Sequence, residues 1–191
     1  MKNFFKLCDG INTIPLLLVI QQNPQLWDQN TLRTTHPYTP HSQVHDIWLR
    51  FNDTSVLEEK GETGRKEFLD QHESIDYPSF DKLYEARIMT NQLMAQVQGQ
   101  RLGRVMITKL EPGKKIDAHV DSGDHAAYYE RFHIVLQSAP GVIFRAGDEK
   151  VYMKTGECWW FQNQVEHEVI NNSVSDRLHM IVDIHTGRGF K

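Results

Sequence analysis

A mainly β fold, a sandwich or barrel of the jelly-roll kind preceded by N-terminal helices, is predicted by three observations on this 191-residue chain. Residues 104 to 184 fall into eight short β-rich runs. Turn signals separate them about every eight to twelve positions, at Pro112-Gly113, Pro140-Gly141, Gly147-Asp148, Gly156 and Asn171-Asn172-Ser173, the rhythm of many short strands in one domain. The last run, Arg177 to Ile184, alternates strictly between two side-chain sets, as a strand between a lined interior and an apolar layer must.

The elements follow in chain order. Ile14 to Ile20 reads as a buried strand. Lys2 and Lys6 precede it, but Asp9 interrupts the basic part, Pro15 lies inside the run, and Gln21-Gln22-Asn23 stands where a small-residue cleavage site would be. A secretory leader is therefore not expected. No stretch approaches the ~20 apolar residues of a membrane span. Asn23-Pro24 opens a short helix, and residues 33 to 43, with His36-Pro37 and Thr39-Pro40, form an ordered loop. Asp46 to Asn52 is a strand with Ile47, Leu49 and Phe51 on one face and Asp46, Trp48, Arg50 and Asn52 on a polar face turned to a pocket. Residues 53 to 75 make a charged surface excursion with a little helix. Pro78 to Gln98 has apolar positions near 3.6 spacing and Gly99 as its stop, one long helix against the outside of the sheet. Strands are expected near 104–110, 116–121, 131–137, 142–146, 150–154, 157–161, 167–171 and 177–184.

This organisation makes 1–191 a single domain, with supporting strands and helices in 1–103 and the β core in 104–184; the length suffices for a self-sufficient core. With 21 basic against 25 acidic residues and a formal charge of -4, neither nucleic acid nor an anionic membrane is expected as a partner. Cys8 and Cys158, distant in sequence and without ligand spacing, argue against a disulfide framework or zinc knuckle and predict a reducing compartment, the cytoplasm.

The chemistry concentrates in His119-Val120-Asp121, His167 and Arg177. In an extended strand His119 and Asp121 share a face, with Ala118 and Val120 on the opposite one against core. Two histidines and a carboxylate with the remaining metal positions open form the ligand set of non-haem Fe(II) oxygenases. His179 and His185 compete with His167; His167 is preferred because it directly precedes a strand and leaves Arg177 on the next, while His179 suits an orienting role. Asp124 and His125 are read as loop residues. On the last strand Arg177, His179, Ile181 and Asp183 face inward, and an inward guanidinium calls for an anion, most simply a ligand carboxylate. Arg131 and His133 repeat the arrangement on the third strand, which suits the cavity to an acid with two carboxylates. Trp159, Trp160 and Phe161 are read as core. Trp48 and Arg50 are substrate-contact candidates, and Tyr128-Tyr129 in the 122–130 loop belongs to the rim. His36, His41 and His45, spaced by prolines, are read as a solvated loop and not a second metal site.

Thr108-Lys109-Leu110-Glu111-Pro112-Gly113, His119-Val120-Asp121, Arg131-Phe132-His133, Gly156-Glu157-Cys158-Trp159, His167-Glu168-Val169 and Arg177-Leu178-His179 together resemble the catalytic domain of the aspartyl/asparaginyl β-hydroxylase family. This branch of the Fe(II)- and 2-oxoglutarate-dependent dioxygenases adopts a double-stranded β-helix. The resemblance implies His119 and His167 as iron ligands, with Asp121 completing a triad that some members lack. It implies Arg177 and the Thr108 hydroxyl on the distal carboxylate of 2-oxoglutarate, and Arg131 and His133 around its other end. O2 would be consumed, succinate and CO2 released, and an unactivated C–H bond hydroxylated. Asp121 also makes the chain similar to the free-amino-acid proline hydroxylases of the branch, so the substrate is an amino acid side chain in a protein or a free small molecule. Two other readings stand beside this one: a cupin-type metal enzyme that does not use 2-oxoglutarate, which leaves Arg177 and Thr108 without a role, and a non-catalytic β-barrel binding module.

Overall fold

Ile14 to Ile20 is helical and not a strand: α1 spans Ile14–Gln22 in the computed structural model, which describes residues 1–61, 68, 72–187 and 189–190. Pro15 explains the difference. In a first turn its missing N–H costs nothing and its fixed φ suits a helix. Leu16 and Ile20, four apart, then share a buried stripe while Ile14 and Leu18 stay exposed. The strand lies earlier, as β1 at Phe4–Cys8. A 3-10 turn at Pro24–Leu26 follows as expected, and the expected loop begins with one helical turn, α2 at Leu32–Thr35.

β2 covers Val44–Phe51, but its alternation is broken by a bulge: Trp48 pairs with Met106 and Arg50 with the next residue back, Val105. The extra residue turns Phe51 onto the face of Trp48, and the two rings stack with centroids 3.9 Å apart. The predicted sharing of one face by Ile47, Leu49 and Phe51 therefore fails at Phe51. α3 at Ser55–Lys60 and β3 at Ile75–Asp76 belong to the charged excursion, whose middle lies largely outside the described residues.

The expected long helix is two, α4 at Pro78–Lys82 and α5 at Tyr84–Gln96. They are separated by Leu83, whose φ of -100° and ψ of 61° leave the helical region and whose side chain is fully buried. Gln98, at φ 54°, ends α5 in the left-handed conformation. Gly99 is not the stop but the first residue of β4, Gly99–Leu110. A Cβ there would come within 2.7 Å of both Ile184 and Met94, so the helix can lie on the sheet only if this position is bare.

The remaining strands are β5 at Lys115–His119, β6 at Glu130–Gln137, β7 at Val142–Ala146, β8 at Glu149–Val151, β9 at Cys158–Phe161, β10 at His167–Asn171 and β11 at Arg177–Thr186. A short helix, α6 at Asp124–Tyr128, stands where a loop was expected. The strands form a seven-stranded sheet ordered β1-β9-β6-β11-β4-β2-β3 and a four-stranded sheet ordered β5-β10-β7-β8, the two faces of a jelly roll.

Leu178, Met180, Val182 and Ile184 of β11 join Leu16, Phe80, Leu83 and Leu93 in one core outside the large sheet. Val135, Phe144, Phe161 and Val169 pack between the sheets with Phe4. Trp159 joins them and Trp160 the outer core. β1 pairs with β9 so that Cys8 faces Cys158 across the ladder; both are free thiols, and burial pushes Cys158 well above the usual thiol range. Distance in sequence did not mean distance in space. Among the described residues no helix is long and apolar enough to cross a membrane.

Candidate metal centre

His119 ends β5, and His167 begins β10 directly opposite it, so one rung of the small sheet presents two imidazoles with centroids 4.2 Å apart. Each ring donates Nδ1–H to a carbonyl two residues back, His119 to Asp117 at 2.7 Å and His167 to Val165 at 2.9 Å. The donation fixes the tautomer, leaving both Nε2 lone pairs available to a cation. Asp121 lies past the end of β5; its backbone N–H donates to the Asn163 carbonyl at 3.1 Å, which brings its carboxylate back to the imidazoles. Oδ1 is 3.6 Å from His119 Nε2, and the three potential ligand atoms lie within 4.8 Å of one another. Ala118 and Val120 do not contact core as expected: both are exposed, because β5 is an outer strand at its end.

Asp121 Oδ2 is already engaged. It accepts from Arg131 Nη1 at 2.5 Å, while Arg131 Nε and Nη2 hold Asp183 at 2.8 and 2.9 Å. His125, on α6, adds a bond from Nε2 to Asp183 at 3.0 Å. Burial pushes the Asp121 carboxyl up, but Arg131 and the two imidazoles outweigh it and hold it below the ordinary value. Asp183 is held far lower by the same guanidinium despite its own burial, and burial drives His167 down to about 4. Asp121 is therefore an anionic carboxylate and His167 a neutral imidazole near neutral pH, the protonation states a divalent cation requires of them.

A cavity of about 320 Å³ opens on this cluster. Arg177, His133 and Thr108 line it. Arg177 is 1% exposed; Nη2 donates to His179 Nδ1 at 2.9 Å, while Nε has no acceptor among the described residues. Thr108 Oγ1 is buried and equally unpartnered, and Thr108 and His179 are register partners on β4 and β11. Burial lowers Arg177 to about 9. A buried cation bonded to a neutral imidazole but with Nε unpartnered, and a buried hydroxyl unpartnered among the described residues, both lining the cavity, fit the carboxylate of a ligand.

His133 Nδ1 lies 3.1 Å from His179 Nδ1. Arg177 can only donate, so His179 Nδ1 is the acceptor of that bond and His133 must carry its proton on Nδ1. His133 Nε2, also unpartnered and buried, then offers a lone pair and no proton. Burial and Arg177 keep both rings neutral, well below 6.5. In this state His133 aligns His179 and Arg177 and is not itself a donor to an anion. Arg131 likewise spends its fork on two protein carboxylates.

Trp48 lines the cavity; Arg50 is not among its lining residues and pairs with Asp76 at 2.7 Å. His41, read as a solvated loop residue, stands edge-on to His119 with centroids 4.9 Å apart and has a buried Nδ1 without a partner among the described residues; His36 also lines the cavity. His45 instead pairs with Asp28. Tyr129 is buried, its ring against the backbone of Gly103, and Tyr128 stacks between His72 and His185. Asp183 and His125 were missed as parts of the site. The signal was present for Asp183, which shares the inward face of β11 with Arg177 and is the register partner of Arg131; for His125 there was none.

A family model for aspartyl/asparaginyl β-hydroxylase matches residues 27–186. No curated protein matches the chain in sequence. Among solved structures, the fold is similar to that of the viral collagen prolyl hydroxylase from Paramecium bursaria Chlorella virus-1 in its 2OG complex, at 12% identity over 96% of both chains with a TM-score of 0.52. An oxidoreductase of the 2OG-Fe(II) oxygenase family from Burkholderia pseudomallei matches at 11% identity over 74% of this chain and 67% of that one, TM-score 0.49. A cupin domain from Bordetella pertussis Tohama I matches at 16% over 46% and 85%, TM-score 0.36.

Proposed function

This chain belongs to the aspartyl/asparaginyl β-hydroxylase family, and from that premise we propose that it hydroxylates an unactivated C–H bond of an amino acid side chain, using Fe(II), 2-oxoglutarate and O2. The balance is R–H, O2 and 2-oxoglutarate to R–OH, succinate and CO2. One oxygen atom enters the product and the other enters succinate.

His119 Nε2, His167 Nε2 and Asp121 Oδ1 would hold the iron on one side, and Arg177 with Thr108 would hold the distal carboxylate of the cosubstrate. The metal supplies the site at which O2 is reduced while the 2-oxo acid is oxidatively decarboxylated. The protein's own residues do the rest. The Asp117 and Val165 carbonyls keep both imidazoles in the ligating tautomer. Arg131 occupies Oδ2 of Asp121, which would leave Oδ1 as the oxygen available to hold the metal. His179 holds Arg177 where it lines the cavity.

The observation that carries this reading is that Arg177, with Nε unpartnered among the described residues, and the unpartnered Thr108 hydroxyl line the cavity that also holds the triad. A cupin-type metal enzyme without 2-oxoglutarate would leave a buried guanidinium and hydroxyl unexplained. The test is calorimetric titration of 2-oxoglutarate into anaerobic Mn(II)-loaded protein, followed by succinate formation with Fe(II). Binding is expected in the wild type and lost in His119→Ala, which removes the metal. Succinate formation retained by His119→Ala refutes the ligand assignment.

A further inference from the structure

The second half of the cavity has a chemistry of its own. Trp48, Phe51, Phe68 and Met106 form a cluster separate from the two main cores, each less than 5% exposed, with Leu57 and Ile181 packed on it. All six line the same cavity as the triad. Trp48 and Phe51 are brought onto one face by the β2 bulge, and Tyr77 meets the indole edge-on at 5.8 Å. The wall is thus aromatic and aliphatic, and its indole N–H, on Trp48, is buried with no acceptor among the described residues.

Among the described residues, the cations that line the cavity besides Arg177 are engaged. Arg33 holds Asp46 through Nε and Nη2, each at 2.9 Å. Arg131 holds Asp121 and Asp183. Arg104 donates Nε to Asn52 at 3.0 Å and lies 4.7 Å over the Phe51 ring. A carboxylate or carboxamide side chain pushed against this wall would lose its water for at most one bond, from the Trp48 indole N–H, whereas a large apolar group would gain contacts with aromatic rings and an adaptable thioether. The cavity of about 320 Å³ is at the small end for ligand sites, and the cosubstrate fills part of it. The rest suits one amino-acid-sized molecule.

We propose that the group hydroxylated is a bulky aliphatic or aromatic side chain of a free amino acid, seated on Trp48, Phe51 and Met106, and not the side chain of an aspartate, asparagine or proline. This rests on the dioxygenase reading above. The target C–H belongs to the apolar group, and the polar end of the substrate remains at the cavity mouth.

The test incubates the Fe(II)- and 2-oxoglutarate-loaded enzyme with L-leucine, L-phenylalanine and L-tryptophan against L-aspartate, L-proline and an asparagine-containing peptide. Succinate and oxygen-bearing product are measured together. At least one apolar amino acid is expected to stimulate succinate release tenfold or more and to gain one oxygen, with KM raised at least tenfold by Trp48→Ala and about threefold by the milder Leu57→Ala. In both variants 2-oxoglutarate should bind within twofold of wild type, a readout that a folding defect would not preserve. Preferential turnover of aspartate, proline or the peptide, no response to any apolar amino acid, or an unchanged KM in both variants overturns the inference while cosubstrate binding stands. Absent 2-oxoglutarate binding in the wild type overturns the underlying reading instead, and this inference with it.

Discussion

Replacing Arg177 by Met should stabilise the ligand-free protein and destroy its affinity for 2-oxoglutarate. The guanidinium is 1% exposed with Nε unpaired, and burial alone lowers it from 12.5 to about 9. At about 1.4 kcal/mol for each factor of ten, that places on the order of 5 kcal/mol against the charged form. Met retains most of the apolar stem, and the bond to His179 is lost, so a net gain of roughly 2 kcal/mol is expected, within the range found when buried charges give way to apolar residues. For a chain of this length that corresponds to a rise of about 4–8 °C in melting temperature. Folded and unfolded chains both keep the guanidinium protonated below about pH 9, so the gain should not vary across neutral pH. Thermal denaturation of the metal-free proteins gives the first number, and calorimetry of 2-oxoglutarate with the Mn(II)-loaded proteins gives the second. A variant less stable than wild type, or one that binds 2-oxoglutarate with wild-type affinity, refutes the argument that this cation is held unpaired for a ligand.

Asp183→Asn leaves Arg131 with one carboxylate in place of two and should cost about 3–5 kcal/mol, read as a drop of roughly 10 °C in melting temperature; a change under 1 °C would contradict the buried network. Thr108→Val removes a hydroxyl that has no protein partner, so stability should hold while 2-oxoglutarate affinity falls about five- to tenfold, the worth of one hydrogen bond, by the same calorimetry. His133 and His179 are neutral in the fold with pKa values well below 6.5, so below pH 6.5 the unfolded chain binds more protons. Stability is then lost as pH falls, by up to about 2.7 kcal/mol per pH unit for the pair; a denaturant midpoint that does not fall between pH 7 and pH 5 would exclude it. Gly99→Val should destabilise by several kcal/mol, since its side chain has to displace both Ile184 and Met94, and a wild-type urea midpoint would show that α5 can shift off the sheet freely.

The C-terminal half was legible because most strands there, β5 excepted, separate two chemically different layers. β7 and β10 begin and end at the expected residues, and β11 places Arg177, His179 and Asp183 opposite Leu178, Met180 and Val182 as alternation requires. The N-terminal half was not, for local reasons that periodicity does not carry. Pro15 permits a helix where an apolar run reads as strand, and a single extra residue in β2 moves Phe51 from the core face to the cavity. At the site, the triad was visible from spacing and register, but the employment of Arg131 was not. Its partners Asp121 and Asp183 sit on a loop and on a neighbouring strand, and only the folded chain shows that both claim the same guanidinium. His41 was hidden in a proline-rich loop whose course over β5 has no signature in the residues themselves.

The buried ions also form an account that must balance. Around the triad, the four charges of Asp121, Asp183, Arg131 and Arg177 cancel, and they meet in or beside one cavity. A divalent cation arriving alone would leave two uncompensated positive charges in a poorly solvated space, and a dicarboxylate arriving alone would leave two negative ones. Arriving together they restore neutrality. On the proposed function the two ligands would therefore be thermodynamically linked, each raising the affinity for the other by one and the same factor. Metal affinity measured on the protein without the dicarboxylate will understate the affinity under working conditions, and iron limitation should be relieved in part simply by a higher concentration of the 2-oxo acid.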